Sequence, residues 1–204
     1  MFERLLRALG PRHWWPGESP FEVIVGAILT QNTSWANVER AISNLKKMGI
    51  LNPLGMRGVD RDELAQIIKP SGFYRLKANR LKQFVDFFYE EFDGDMNRMR
   101  SRDLDSLREG LLKVNGIGPE TADSIILYAL GKPIFVVDAY TKRIFFRHNL
   151  ISEKWSYEEV QGMVMGELGR DVGMYNEFHA LLVFLGKYWC RGIPRCGGCP
   201  LEGL

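Results

Sequence analysis

Apolar residues return at helical spacing in one segment after another, and nowhere does the chain settle into the apolar–polar alternation of a half-buried strand. The pattern runs through Phe21, Ile24, Val25, Ile28 and Leu29, then Val38, Ala41, Ile42 and Leu45, then Leu81, Phe84, Val85, Phe88 and Phe92. It continues in Leu104, Leu107, Leu111 and Leu112, in Ala122, Ile125, Ile126, Ala129 and Leu130, in Ile144 and Phe145, and in Phe178, Leu181, Leu182 and Leu185. Shorter helices are expected at Phe2, Leu5, Leu6 and Leu9, and at Leu64, Ile67 and Ile68 before Pro70-Ser71-Gly72. The Phe21 and Leu81 segments read as amphipathic helices. Ile134 to Val137, after Pro133, reads as a connector into the next helix. The fold class expected is therefore all-α, without internal repeats or low-complexity tracts.

A chain of 204 residues with 46% hydrophobic and 25% charged residues can bury one sizeable core or two small lobes, which excludes disordered and fibrous classes. No apolar run reaches the roughly 18 to 20 residues that span a bilayer, and Met1-Phe2-Glu3-Arg4 leads into no signal-peptide pattern. The expectation is a cytoplasmic protein with no membrane partner. A net charge of +2 does not by itself point to nucleic acid, although a basic face can sit inside a nearly neutral total.

Three features carry chemistry. The first is Val114-Asn115-Gly116-Ile117-Gly118-Pro119-Glu120-Thr121, lying between two helical patterns. Two glycines one residue apart permit a tight turn with bare backbone N–H groups, and Pro119 suits the first turn of a helix. Such amides can grip a phosphate, though a plain helical hairpin uses the same residues. The second is Asp138, placed where a helix should begin and followed by Thr141, Lys142, Arg143 and Arg147; in isolation it reads as an N-cap. The third is the cysteine set, Cys190, Cys196 and Cys199, all within the last fifteen residues, which argues for metal binding over disulfides.

Taken in order, hairpin, helix and aspartate resemble the helix-hairpin-helix, Gly/Pro-rich loop and aspartate motif (HhH-GPD) of the DNA glycosylase superfamily that includes endonuclease III. The likeness extends from about Trp14 to Cys199. It implies two helical lobes flanking a lesion cleft: a barrel domain with the helix-hairpin-helix over residues 20–130, and a second domain of residues 1–19 plus 131–204 with an iron–sulfur-type loop. It implies that the amides from Val114 through Gly116 and Gly118 to Thr121 hold the DNA backbone and that Asp138 is the catalytic carboxylate. Leu29-Thr30-Gln31-Asn32-Thr33 is similar to the family's loop that fills the gap left by a flipped nucleotide, with Gln31 as the plug and Asn32 supporting it. Without that likeness the segment is an ordinary polar helix terminus.

In strand-cutting members a lysine just after the second hairpin glycine forms a Schiff base. The matching residue here is Glu120, which implies a monofunctional enzyme that uses water; Lys113 and Lys142 lie near in sequence but not at that place. Trp14-Trp15-Pro16, the run ending at Trp35, and Pro70-Ser71-Gly72-Phe73-Tyr74 with Lys77 resemble the 3-methyladenine glycosylase branch, as does Glu120. An electron-poor, cationic purine would stack favourably on Trp faces, while the alternative makes Trp14, Trp15 and Trp35 core aromatics. Lys187 matches a pocket lysine of that branch, or is simply solvated. Cys190-x5-Cys196-x2-Cys199 resembles the [4Fe–4S] loop of endonuclease III relatives, with the first interval one residue short and the family's fourth thiolate falling just after Leu204. Zinc is the alternative. Arg191 and Arg195 would face phosphate or be ordinary surface charge.

The resulting expectation is a base-excision repair glycosylase acting as a monomer on alkylated purines such as 3-methyladenine in double-stranded DNA. Two others stand beside it: a glycosylase for mismatched or deaminated bases (uracil, thymine) or oxidised pyrimidines, and a non-catalytic DNA-binding hairpin module.

Overall fold

The computed structural model describes residues 1–204, and every regular element in it is helical. The order is α1 (Phe2–Leu9), α2 (Pro20–Leu29), α3 (Trp35–Lys47), α4 (Pro53–Gly58), α5 (Arg61–Ile67), a 3-10 turn at Lys69–Ser71, α6 (Tyr74–Phe92), α7 (Met96–Ser101), α8 (Leu104–Lys113) and α9 (Pro119–Ser124). A π turn at Ile125–Ala129 extends α9, and α10 (Ala139–Arg147), α11 (Tyr157–Leu168) and α12 (Val172–Tyr188) complete the chain. Two compact units result, one made of Met1–Pro16 with Lys132–Leu204 and the other of Gly17–Gly131. Residues 17–19 belong with the second because Ser19 caps α2, its hydroxyl accepting from Glu22 N, and Glu18 N donates to the Glu22 carboxylate.

In the Gly17–Gly131 unit, α2 is the central helix. The sequence reading made it amphipathic, but Phe21 through Leu29 are all buried. The reason lies in Val23, Gly26 and Ala27: the positions between the apolar stripe are also apolar or small, so no face is left for water. The one charge among them, Glu22, meets Lys46 at 3.0 Å. Around α2 pack α3, α6, α9 and the π turn. Within α6, Phe84 and Phe88 stack at 5.9 Å and 12°, and Phe21 of α2 lies 6.4 Å from Phe88. Each such aromatic pair adds about 1 kcal/mol beyond its burial.

In the other unit, α1 and α10 pack on α12. Its core holds Leu5, Phe135, Ile144, Phe145, Tyr175, Phe178 and Leu182. The connector Ile134 to Val137 runs through this core fully buried, which is unusual for a segment outside any helix; Ile134 N donates to Lys132 O at 2.9 Å. Side chains of α11 satisfy two further backbone groups. Gln161 Nε2 donates to Phe135 O at 2.6 Å, and Val137 N donates to Tyr157 Oη at 3.3 Å. The connector delivers Asp138 to the start of α10.

Candidate active site and nucleic-acid interface

Asp138 is the N-cap of α10, and its setting goes beyond a cap. Oδ1 accepts from Thr141 N at 2.7 Å and from Thr141 Oγ1 at 2.8 Å. Oδ2 stands 3.6 Å from His179 Nε2, and both side chains are about nine-tenths buried, at 11% and 7% exposure. His179 sits on α12 with the Phe135 ring edge-on to it. Burial, the largest influence on the Asp138 carboxyl, works to raise its pKa, but the hydrogen bond and charge of His179 and the two Thr141 donors outweigh it and hold the group below the ordinary carboxylate range. The result is a fixed, largely dehydrated carboxylate that stays ionised at neutral pH. His179, which completes this setting, is the residue that sequence reasoning missed. Its signal was a histidine on the otherwise apolar face of Tyr175, Phe178 and Leu182.

The aromatic segment is anchored in the same unit. Arg12 N and His13 N both donate to the Glu177 carboxylate of α12, and the Arg12 guanidinium lies 3.8 Å over the Phe184 ring. Trp14 and Trp15 follow, half-buried and 5.4 Å apart at 52°, with Pro16 exposed. Lys187 is exposed in the last turn of α12.

The hairpin belongs to the Gly17–Gly131 unit. Val114 and Thr121 are buried, and Ile117 N closes a turn onto Val114 O at 3.0 Å. Its two helices are braced by an ion pair, Arg108 Nε to Asp123 Oδ1 at 2.7 Å and Nη2 to Oδ2 at 3.2 Å, with Asp123 fully buried. The two glycines are there for different reasons. Gly116 has φ 88°, and a Cβ there would come within 2.4 Å of Arg80 Nε. Gly118 is extended at φ −92°, and a Cβ on it would meet nothing. Its smallness serves no contact inside the chain and suits the close approach of a ligand backbone. Neither glycine N–H donates to a backbone acceptor.

Gln31 lies on this hairpin. Its Nε2 donates to Gly116 O at 3.0 Å and to Thr121 Oγ1 at 2.9 Å, while Oε1 accepts from Arg80 Nη1. Asn32, exposed at φ 53°, makes the turn that follows, and Trp35 is half-buried with its Nε1 donating to Glu39 at 2.8 Å. Glu120 is exposed in the first turn of α9. Sequence reasoning gave no separate role to Phe73, which is 66% exposed on left-handed backbone at φ 45°. An exposed aromatic held in a strained conformation is the kind of feature that collects at binding sites.

Cys190, Cys196 and Cys199 line one cavity of about 370 Å³ together with Arg147, His148 and Trp189. Cys190 is buried, and Arg147 Nη1 donates to its Sγ at 3.4 Å. Arg147 also donates to Arg191 O and Gly192 O, Arg143 to Cys190 O and Gly186 O, and Arg4 to Pro200 O and Glu202 O. Three sulfur donors thus line one cavity beside a guanidinium. No three metal-binding side chains converge on one point, so the loop as it stands presents its sulfurs spread around the cavity. Arg191 and Arg195 are exposed.

Residues 25–167 match the family described as HhH-GPD superfamily base excision DNA repair protein. A Methanocaldococcus jannaschii protein whose name assigns it provisionally to the DNA repair glycosylases is 48% identical over 99% of this chain and 92% of its own length. Endonuclease III of Bacillus subtilis is 30% identical over 91% of this chain and 80% of its own length. Among solved structures, the Helicobacter pylori 3-methyladenine DNA glycosylase MagIII bound to 1,N6-ethenoadenine is similar at TM-score 0.77 and 30% identity, covering 90% of this chain and 91% of that one. A non-covalent endonuclease III–DNA complex is similar at TM-score 0.84 and 25% identity, covering 98% and 89%.

Proposed function

The chain belongs to the HhH-GPD superfamily of base-excision DNA repair proteins and is a DNA glycosylase of that family; from this premise we propose that it is a monofunctional enzyme that hydrolyses the N-glycosidic bond of alkylated purines, 3-methyladenine among them, in duplex DNA. The observation that carries the reading is the Asp138 carboxylate, ionised and fixed between Thr141 and His179. Departure of the base leaves positive charge on the deoxyribose, and a preorganised anion stabilises that charge while orienting the water that adds to the sugar carbon. A carboxylate held below the ordinary range is a weak base, so its main contribution is electrostatic.

The hairpin amides of Gly116 and Gly118 bind a backbone phosphate, and affinity falls steeply with salt. The gap left by the extruded nucleotide is filled by Gln31, with Phe73 as an apolar wedge beside it. Trp14, Trp15, Pro16, Trp35, Glu120 and Lys187 are the residues we assign to reading the base, the tryptophans favouring a cationic purine through their π faces. The likeness to the 3-methyladenine glycosylase supports this substrate class. Glu120, standing where strand-cutting relatives carry lysine, supports hydrolysis by water, since a carboxylate cannot form a Schiff base. Cys190, Cys196 and Cys199 would supply three of the thiolates of a [4Fe–4S] cluster, whose part would be to tie the terminal loop together, the hydrolysis resting with Asp138.

Release of free base from duplexes carrying 3-methyladenine, uracil, a thymine mismatch or an oxidised pyrimidine tests the reading, with strand cleavage assayed before and after hot alkali. The expected result is methylated-purine release with nicking only after alkali. Preferential pyrimidine release would move the substrate to that of the endonuclease III relatives, and binding with no release would leave a phosphate clamp. Borohydride should trap no wild-type enzyme on DNA; Glu120→Lys should gain a trappable fraction.

A further inference from the structure

Lys77 is a charged side chain with 1% exposure and no carboxylate partner. Burial, helped by the charge of Arg80, pulls its ammonium down to about 8. Leaving a lysine in such a place is unfavourable unless its protons are used. Nζ donates to Leu29 O at 2.8 Å and to Ser71 O at 2.6 Å. These acceptors are far apart in sequence but alike in place. Leu29 is the last residue of α2, immediately before Thr30 and Gln31; Ser71 ends the 3-10 turn, immediately before Gly72 and Phe73. One turn further along α6, Arg80 reaches the Gln31 side chain itself. The opening turns of α6 thus bind the exit of one segment and present the other, with Phe73 as the residue before α6 begins.

We infer that Lys77 is a positioning residue that locks the Gln31 and Phe73 segments in register, so that polar plug and apolar wedge enter the DNA stack together. The inference rests on the duplex-DNA reading above, and neither residue touches the reacting atoms. Removing the ammonium leaves two buried carbonyls without a donor at the roots of both segments, while the hairpin and Asp138 keep all their own contacts.

The test uses the full chain and a duplex with an abasic analogue opposite 2-aminopurine, whose fluorescence rises when the stack is opened, alongside single-turnover base release from a methylated-purine duplex. Wild type should bind with a rise in fluorescence. Lys77→Met should bind within about threefold, lose most of the rise and slow base release about tenfold or more, and Lys77→Arg should restore most of both. In a Gln31→Ala/Phe73→Ala background the Lys77→Met loss should shrink below about twofold, because the segments it serves are already blunted. An equal loss in both backgrounds, or a rise undiminished in Lys77→Met, overturns the inference. A wild type that opens no stack and releases no base refutes the DNA reading instead. Should Met at 77 prevent folding, Lys77→Gln is read by the same criteria.

Discussion

The Asp138 site and the 114–121 hairpin, to which the proposed function gives parts in one reaction, are built on opposite principles. Asp138 is almost dry, and its oxygens are committed to Thr141 and His179. The hairpin is open, with two glycine amides given to no backbone acceptor and one glycine whose missing side chain leaves empty space. A group that must stabilise charge is held still and desolvated, where each charge counts for more. A group that must meet a long, hydrated polyanion at any sequence is left in water with its donors unspent. Precision sits at one place and permissiveness at the other.

The sharpest way to break this contrast is Asp138→Asn, which keeps the cap and removes the charge. Single-turnover base release should fall by about a thousandfold, while DNA affinity in a gel-shift assay stays within a few-fold. If release falls little, the carboxylate is only a cap. Gly116→Ala forces a Cβ onto Arg80 at positive φ, so it should destabilise the protein by about 2 kcal/mol in thermal or urea unfolding. Gly118→Ala separates the two glycines: the melting temperature should hold, since nothing inside the chain is met, while DNA affinity weakens about tenfold. A loss of stability at Gly118 would erase the distinction. His179→Gln gives the smallest effect, a few-fold loss of rate and an upward shift of the acid limb of the pH–rate profile. A carboxyl held below its ordinary value stabilises the fold fully above that value and loses the contribution as pH falls through the folded-state value. Removing His179 therefore narrows the tolerated range on its acid side.

The same contrast decides what could be read from the sequence. The hairpin and the cap at Asp138 are local: their glycines, proline and threonine are near neighbours, and their chemistry follows from spacing. Most helices followed from apolar period, but α4, α7 and α11 were not read from it, and α2 looked amphipathic until the small residues between its stripe were counted. What could not be read is whatever arrives from elsewhere in the chain. His179 reaches Asp138 from α12, Arg80 lies under Gly116, and Gln31 binds Gly116 O and Thr121. Lys77 was named in the sequence only as part of a resembling run; its burial was not visible, because a lysine's default is exposure and nothing in its neighbours announces two carbonyls waiting for it.

The double employment proposed for Asp138, as cap and as catalytic carboxylate, has a consequence for how such a chain can drift. A single base change turns an aspartate codon into an asparagine codon, and asparagine starts a helix as well as aspartate does. The descendant would fold, keep its hairpin and still settle on DNA, but leave the base in place. An enzyme of this design therefore lies one mutational step from a stable, DNA-occupying protein that repairs nothing. Selection for folding alone would not notice the difference.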